Sequence, residues 1–300
     1  MVAKNRRAKR NKGFLTKGIV FVGLIIGVFI FCAQTSWPLS LPIWETPQPM
    51  KTLTNAEAKF TVPLRVADIQ DTRFLELVNR DNPVNGKGVS KKYVSSYSAV
   101  SYRANDIELQ ETALEAVNKL FTAARNDGIK TLYVSSGFRS KAEQTRLYNE
   151  AADKSLVQPP NHSEHQTGLA VDIVVADVAQ ETLAKTREGR WLAQNSWKYG
   201  LILRYGQDKI DITQIAYEPW HFRYVGQPHA WYCQQNNLCL EEYIEFLRRE
   251  GGYRAVYNGK AYTVVYMKPK DGKIFVPDAM NFSVSGDNAG GYVVTAVDGN

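Results

Sequence analysis

Apolar and polar positions change their pattern several times along this chain, and each change predicts a different element. Residues 18–33 form an uncharged apolar run from Gly18 to Ala33 that matches a transmembrane helix. From Gln34 to residue 65 the periodicity is lost and Pro38, Pro42, Pro47, Pro49 and Pro63 recur, as in a spacer. Residues 66–252 then mix two periods. Asp106 to Arg125 has helical spacing and stops at Gly128, and Thr131 to Ser136 reads as a strand ending at Gly137. A helix follows from Lys141, with Ser140 as N-cap and Glu143 placed for a capping box. Leu169 to Val175 and His221 to Val225 are β-prone. Residues 253–300 show short strand patterns around Asn258-Gly259, Asp271-Gly272 and Asn288-Ala-Gly290, all with turn chemistry. The expected fold is α+β: a small antiparallel sheet packed against helices, a β-rich C-terminal appendage and an N-terminal transmembrane helix.

Charge adds a location. Lys4, Arg6, Arg7, Lys9, Arg10, Lys12 and Lys17 lie in residues 1–17, and these seven account for the whole excess of 37 basic over 30 acidic residues. The net charge of +7 therefore belongs to this tail and gives no reason to expect a nucleic-acid partner. Basic residues ahead of an apolar run place the N-terminus in the cytoplasm and the rest of the chain outside the membrane. The run is slightly shorter than the roughly 20 residues that span a bilayer, and residues 14–16, with Lys17 snorkelling, make up the length. A cleaved signal peptide shares these features. Ala33-Gln-Thr35 is a poor cleavage site, which favours an uncleaved single-pass anchor.

Two segments carry candidate chemistry: Ser163-Glu-His165-Gln-Thr-Gly168-Leu-Ala-Val-Asp172 and Glu218-Pro-Trp-His221. Two imidazoles and one carboxylate can hold a zinc ion with a fourth position open, and a second carboxylate can accept a proton from water there. Of four histidines in the chain, three lie in or beside these segments. Asp172 falls inside an apolar strand pattern, where an unpaired carboxylate is costly and a cation would compensate it. Glu218 and His221 are three residues apart, on opposite faces of a regular strand, so both reach one site only if the backbone is irregular around Pro219. His162 is expected at a turn and His229 at the surface or a helix entry, both outside the site. Arg139 sits at a strand-to-helix turn where a guanidinium can meet an oxyanion or a carboxylate, and Gln144 lies one turn into the helix; taken alone, an exposed arginine in a surface loop is the better reading.

Ser-Gly-Phe-Arg-Ser140 with Gln144, Ser-x-His165-x-x-Gly-x-Ala-x-Asp172, and Glu218-Pro-Trp-His221-Phe-Arg-Tyr-Val-Gly226 together resemble the VanY-type zinc D-alanyl-D-alanine carboxypeptidases. That group includes VanX-type dipeptidases and bacterial L,D-carboxypeptidases. The resemblance extends over roughly residues 70 to 300. It implies that His165, Asp172 and His221 hold one zinc ion, that Glu218 is the general base and then acid, and that Arg139 stabilises the oxyanion. Ser163 and Gln144, with Arg139, would seat the C-terminal residue of the substrate. Phe138 stands where many members have tyrosine.

The expected activity is removal of the terminal D-alanine, or D-lactate, from peptidoglycan stem pentapeptides at a bacterial membrane, with a part in vancomycin resistance or wall remodelling. Two alternatives stay open: an L,D-carboxypeptidase acting on tetrapeptides, and a non-catalytic wall-binding module with an inert zinc site. Retention of Glu218 beside only three clear ligands speaks against the second. Cys233 and Cys239 lie on the oxidising side of the membrane, as a short-loop disulfide or as two buried thiols.

Overall fold

The computed structural model describes residues 48–49, 60–85, 90–152, 154, 157–278 and 281–297. The basic tail 1–17, the expected anchor 18–33 and most of the expected spacer lie outside the described residues. Among the described residues no helix is long and apolar enough to cross a membrane.

In chain order the strands are β1 (Gln48–Pro49), β2 (Phe60–Arg65), β3 (Lys91–Tyr93), β4 (Glu108–Gln110), β5 (Leu132–Ser136), β6 (Ala170–Val175), β7 (Leu201–Leu203), β8 (His221–Tyr224), β9 (Gly252–Tyr257), β10 (Lys260–Met267), β11 (Lys273–Pro277), β12 (Asn281–Gly286) and β13 (Tyr292–Val297). The helices are α1 (Glu111–Asn126), α2 (Lys141–Glu150), α3 (Arg187–Asn195), α4 (Ile210–Thr213), α5 (His229–Asn236) and α6 (Leu240–Glu250). The result is a mixed fold of small antiparallel sheets and helices.

The sheet that carries the candidate site is four-stranded, ordered β5-β6-β8-β7. Every residue of β6 is buried, which places Asp172 in the middle of the sheet. Leu114, Val117, Leu120 and Phe121 of α1 fall on one helical face and pack into the same core as Val134, Val171, Ile173 and Phe222. Asp106 to Gln110, expected as the first turn of α1, instead contains strand β4, paired with β3. Buried Leu109 flanked by half-buried Glu108 and Gln110 is a strand alternation, and it decides against helix until Glu111. Gly137 ends β5 where a Cβ would sit 2.4 Å from the Glu108 carbonyl, so only glycine permits β5 to approach β4 so closely. Helix α2 starts at Ser140, whose Oγ accepts from the Glu143 N–H at 3.1 Å.

The C-terminal strands form a five-stranded sheet ordered β1-β9-β10-β13-β12. Asn258 and Gly259, both at positive φ, turn β9 into β10, and Asn288 and Gly290 do the same between β12 and β13. Asp271-Gly272 also turns the chain, but β11 then leaves to pair with β2. Phe60–Arg65, within the stretch expected as spacer, is thus a strand of the C-terminal region, and Pro63 is tolerated because β2 has β11 on one side only. The five-stranded sheet packs through Tyr253, Ala255, Val264 and Val293 on Trp231, Tyr243 and Leu247 of α5 and α6, in one core with Ile202 of β7 and Val225 just after β8. Cys233 and Cys239 are free, buried thiols.

Candidate metal centre and catalytic cleft

His165 lies on a single 3-10 turn, Glu164–Thr167, which ends at Gly168 with φ +72°. That left-handed residue folds its N–H back onto the His165 carbonyl at 3.2 Å, and the chain then enters β6. His165 Nδ1 is 2.6 Å from the Gly137 carbonyl oxygen. A carbonyl can only accept, so Nδ1 carries the proton, and Nε2 faces Asp172 Oδ2, 3.4 Å away. Asp172 is paired in register with His221 across β6 and β8, and its Oδ1 is 3.0 Å from His221 Nδ1. The two imidazoles meet edge to face at 4.9 Å. One donor atom each from His165, Asp172 and His221 lies within 4.8 Å of the others, and all three residues are buried.

The irregularity that the Glu218/His221 spacing requires is a hydrogen-bonded reverse turn. The His221 N–H donates to the Glu218 carbonyl at 3.1 Å, and Pro219 and Trp220 occupy the two corner positions. The Glu218 N–H donates to the Tyr205 carbonyl at 3.1 Å, and the Ile173 N–H donates to the Trp220 carbonyl at 2.9 Å, tying the turn to the sheet. Glu218 Oε2 comes to 3.9 Å from His221 Nδ1. Burial pushes the Glu218 carboxyl up to about 7, with His221 opposing and the Asp172 charge adding. A carboxyl so poised can both take and return a proton near neutral pH. Burial also acts on Asp172, but the two imidazoles outweigh it and hold this carboxyl well below the usual range.

Arg139 reaches the same cleft from the β5–α2 turn. Its guanidinium donates to Gln144 Oε1 at 3.2 Å, Ser136 Oγ at 3.3 Å and Asp172 Oδ2 at 3.5 Å. Gln144 is buried and donates through Nε2 to the Gln158 carbonyl at 2.6 Å. The cleft, about 480 Å³, is lined by Arg139, Gln144, Ser163, His165, Asp172, Glu218 and His221, all seven of the residues singled out from sequence. His162 is bound to the Asn79 carbonyl through Nδ1 at 2.8 Å, away from these ligands. His229 opens α5, as a helix-entry residue, but it is buried.

Sequence reasoning missed a set of charged residues around the centre. Glu164, Arg204 and Arg223 are fully buried, with Glu164 Oε1 accepting from Arg204 Nε at 2.9 Å and from Arg223 Nη1 at 2.8 Å. Tyr205 stacks on the His221 ring at 4.9 Å. A signal was present: each arginine closes or interrupts an apolar run, Leu201-Ile-Leu-Arg204 and His221-Phe-Arg223-Tyr, where a cation needs a buried anion.

Three converging donors beside a half-buried carboxyl that titrates near neutrality are the constellation of a metal-dependent hydrolase. Comparison with known proteins agrees. The VanY family, described as D-alanyl-D-alanine carboxypeptidase, matches residues 106–227. A D-alanyl-D-alanine carboxypeptidase of Enterococcus faecium is 32% identical over 232 residues, covering 75% of each chain. Among solved structures, the vancomycin-resistance D,D-dipeptidase VanXYg, in complex with a D-Ala-D-Ala phosphinate analogue, superposes with a TM-score of 0.68 at 29% identity, over 79% of this chain and 98% of that one. The LD-carboxypeptidase LdcB gives 0.52 at 34% identity, over 57% and 86%. The chain belongs to the VanY family of D-alanyl-D-alanine carboxypeptidases, a family of metallopeptidases.

Proposed function

We propose that this protein is a zinc-dependent D,D-carboxypeptidase that removes the terminal D-alanine from peptidoglycan stem pentapeptides. The observation that carries this reading is the convergence of His165, Asp172 and His221 with Glu218 in one cleft. Two imidazoles and one carboxylate, with a fourth side left open, form a donor set suited to catalytic zinc. When bound, zinc polarises the substrate carbonyl and makes water acidic enough to lose its proton near neutral pH. Glu218 accepts that proton as water attacks the last peptide bond, and then hands it to the departing amine of the terminal residue. Arg139 faces the charge that develops on the carbonyl oxygen. Gln144 and Ser163, on the same wall, seat the terminal residue, and Arg139 is held near them by its bond to Gln144. No covalent intermediate is required.

The reading places the catalytic region, residues 66–252, outside a bacterial membrane, held there by residues 18–33 with residues 1–17 in the cytoplasm. The uncharged apolar run behind a basic tail supports this. Removal of the terminal D-alanine destroys the D-alanyl-D-alanine terminus to which vancomycin binds, which makes glycopeptide resistance the expected physiological setting. The similarity to LdcB keeps an L,D activity on tetrapeptides as the competing specificity. Purified protein given pentapeptide and tetrapeptide separately should release D-alanine from the pentapeptide; release from the tetrapeptide alone would end the D,D assignment.

A further inference from the structure

Glu164 directly precedes His165 in sequence, yet its side chain serves the other histidine. Its Oε2 lies 3.5 Å from His221 Nε2, within hydrogen-bond reach, while Oε1 receives Arg204 and Arg223. The chain of charges continues outward. Arg204 donates through Nη1 and Nη2 to the two oxygens of Glu241 on α6, at 2.8 and 2.6 Å. Arg223 Nη2 donates to the Glu76 carbonyl at 2.9 Å and to that of Phe74 at 3.2 Å. Buried charge of this kind is weak evidence for stability, because desolvation offsets most of the attraction and an apolar cluster of equal volume would serve the fold as well. What an apolar cluster cannot do is orient an imidazole.

Two guanidinium groups fix the Glu164 carboxylate in place, and a carboxylate accepts hydrogen bonds. The nitrogen facing it is His221 Nε2, which can bond to it only as a donor. Nδ1 is the atom that points at Asp172 and lies on the side of Glu218, so it is the nitrogen placed to meet an ion shared with Asp172. His165 is set the other way, with Nδ1 bonded to the Gly137 carbonyl and Nε2 turned inward. The two imidazoles thus present different nitrogens because their outer partners differ. Tyr205, stacked 28° from parallel on His221, restrains the remaining freedom, the tilt of the ring.

We infer that Glu164 is the positioning residue that makes His221 a metal ligand through Nδ1, and that Arg204 and Glu241 hold it in place from helix α6. The inference rests on the metal reading of the site given above. Outer partners of ligating histidines set tautomer and basicity, and their loss weakens metal binding by about 10- to 100-fold.

The test uses the full chain labelled with nitrogen-15 in histidine and loaded with one equivalent of zinc. Long-range proton–nitrogen spectra should show His221 bound through Nδ1 with a protonated Nε2, and His165 bound through Nε2 with a protonated Nδ1. Zinc on Nε2 of His221 overturns the inference. In parallel, the zinc Kd of Glu164→Gln, measured by competition with a chelating dye, should rise about 10- to 100-fold. A folded Glu164→Gln that binds zinc as tightly as wild type also overturns it. Should this substitution unfold the chain, the wild-type spectrum decides alone. Wild type that takes up no zinc overturns the metal reading itself, and the inference with it.

Discussion

His229 offers a quantitative test of how firmly the C-terminal sheet is joined to the rest of the fold. The side chain is buried where α5 begins, with Nδ1 2.6 Å from the Tyr243 hydroxyl and Nε2 3.0 Å from the Thr295 hydroxyl of β13. Tyr243 is in turn bonded to the Tyr253 hydroxyl at 3.1 Å, so the imidazole is surrounded by neutral hydroxyls. Burial without a charged partner pushes His229 down to about 3. An unfolded histidine titrates near 6.5, so below that pH the unfolded chain binds a proton that the folded chain refuses. The contribution to stability is present in full above pH 6.5 and is lost as pH falls toward the folded value. Between pH 6.5 and 4.5 the expected loss from this one group is about 2 kcal/mol. Urea unfolding of wild type and His229→Gln at both pH values isolates it, since carboxylate contributions are common to the two proteins and cancel in the comparison. The wild type should lose about 2 kcal/mol more than the variant. Equal losses would refute the reasoning and show that His229 is not held neutral between α6 and β13.

Three further outcomes follow from the cleft and its supports. Glu218→Gln should abolish D-alanine release while leaving the zinc content at that of wild type, because Glu218 stands beside the His165–Asp172–His221 cluster and outside it; full zinc with unchanged turnover would contradict the proposed role as base. Arg139→Ala should lower the rate by about a hundredfold or more, as removal of one oxyanion donor does, again with zinc retained. Gly168→Ala should destabilise the chain by about 1–2 kcal/mol, the cost of a side chain in left-handed backbone, and thermal melting reads this directly; its Cβ would also press on Gln110 at 3.3 Å.

The convergence of His165, Asp172 and His221 was legible because histidine is rare in this chain and because Asp172 is an acid in an otherwise apolar strand. Glu218 was legible only conditionally. Its spacing from His221 demanded an irregular backbone, and the Pro219–Trp220 turn provides it. The C-terminal hairpins were readable from Asn-Gly and Asn-x-Gly, since asparagine and glycine accept the positive φ that these turns need. Other features depended on partners far away in sequence. Glu108–Gln110 is short enough to continue a helical pattern and becomes a strand through pairing with Lys91–Tyr93. Phe60–Arg65 looked like spacer because its partner, Lys273–Pro277, lies more than two hundred residues on. The Glu164–Arg204–Arg223 group is likewise assembled across 40 and 59 residues, so the apolar runs around the two arginines hint at burial but do not name the carboxylate they meet.

The central claim is that three side chains grip one ion whose open side faces Glu218. Diffraction from zinc-loaded crystals on either side of the zinc absorption edge tests it most directly. The account predicts a single anomalous peak bonded to His165 Nε2, Asp172 and His221 Nδ1, with the Glu218 carboxyl at its unligated side. A peak elsewhere, or imidazoles of His165 and His221 that do not share it, would contradict the account.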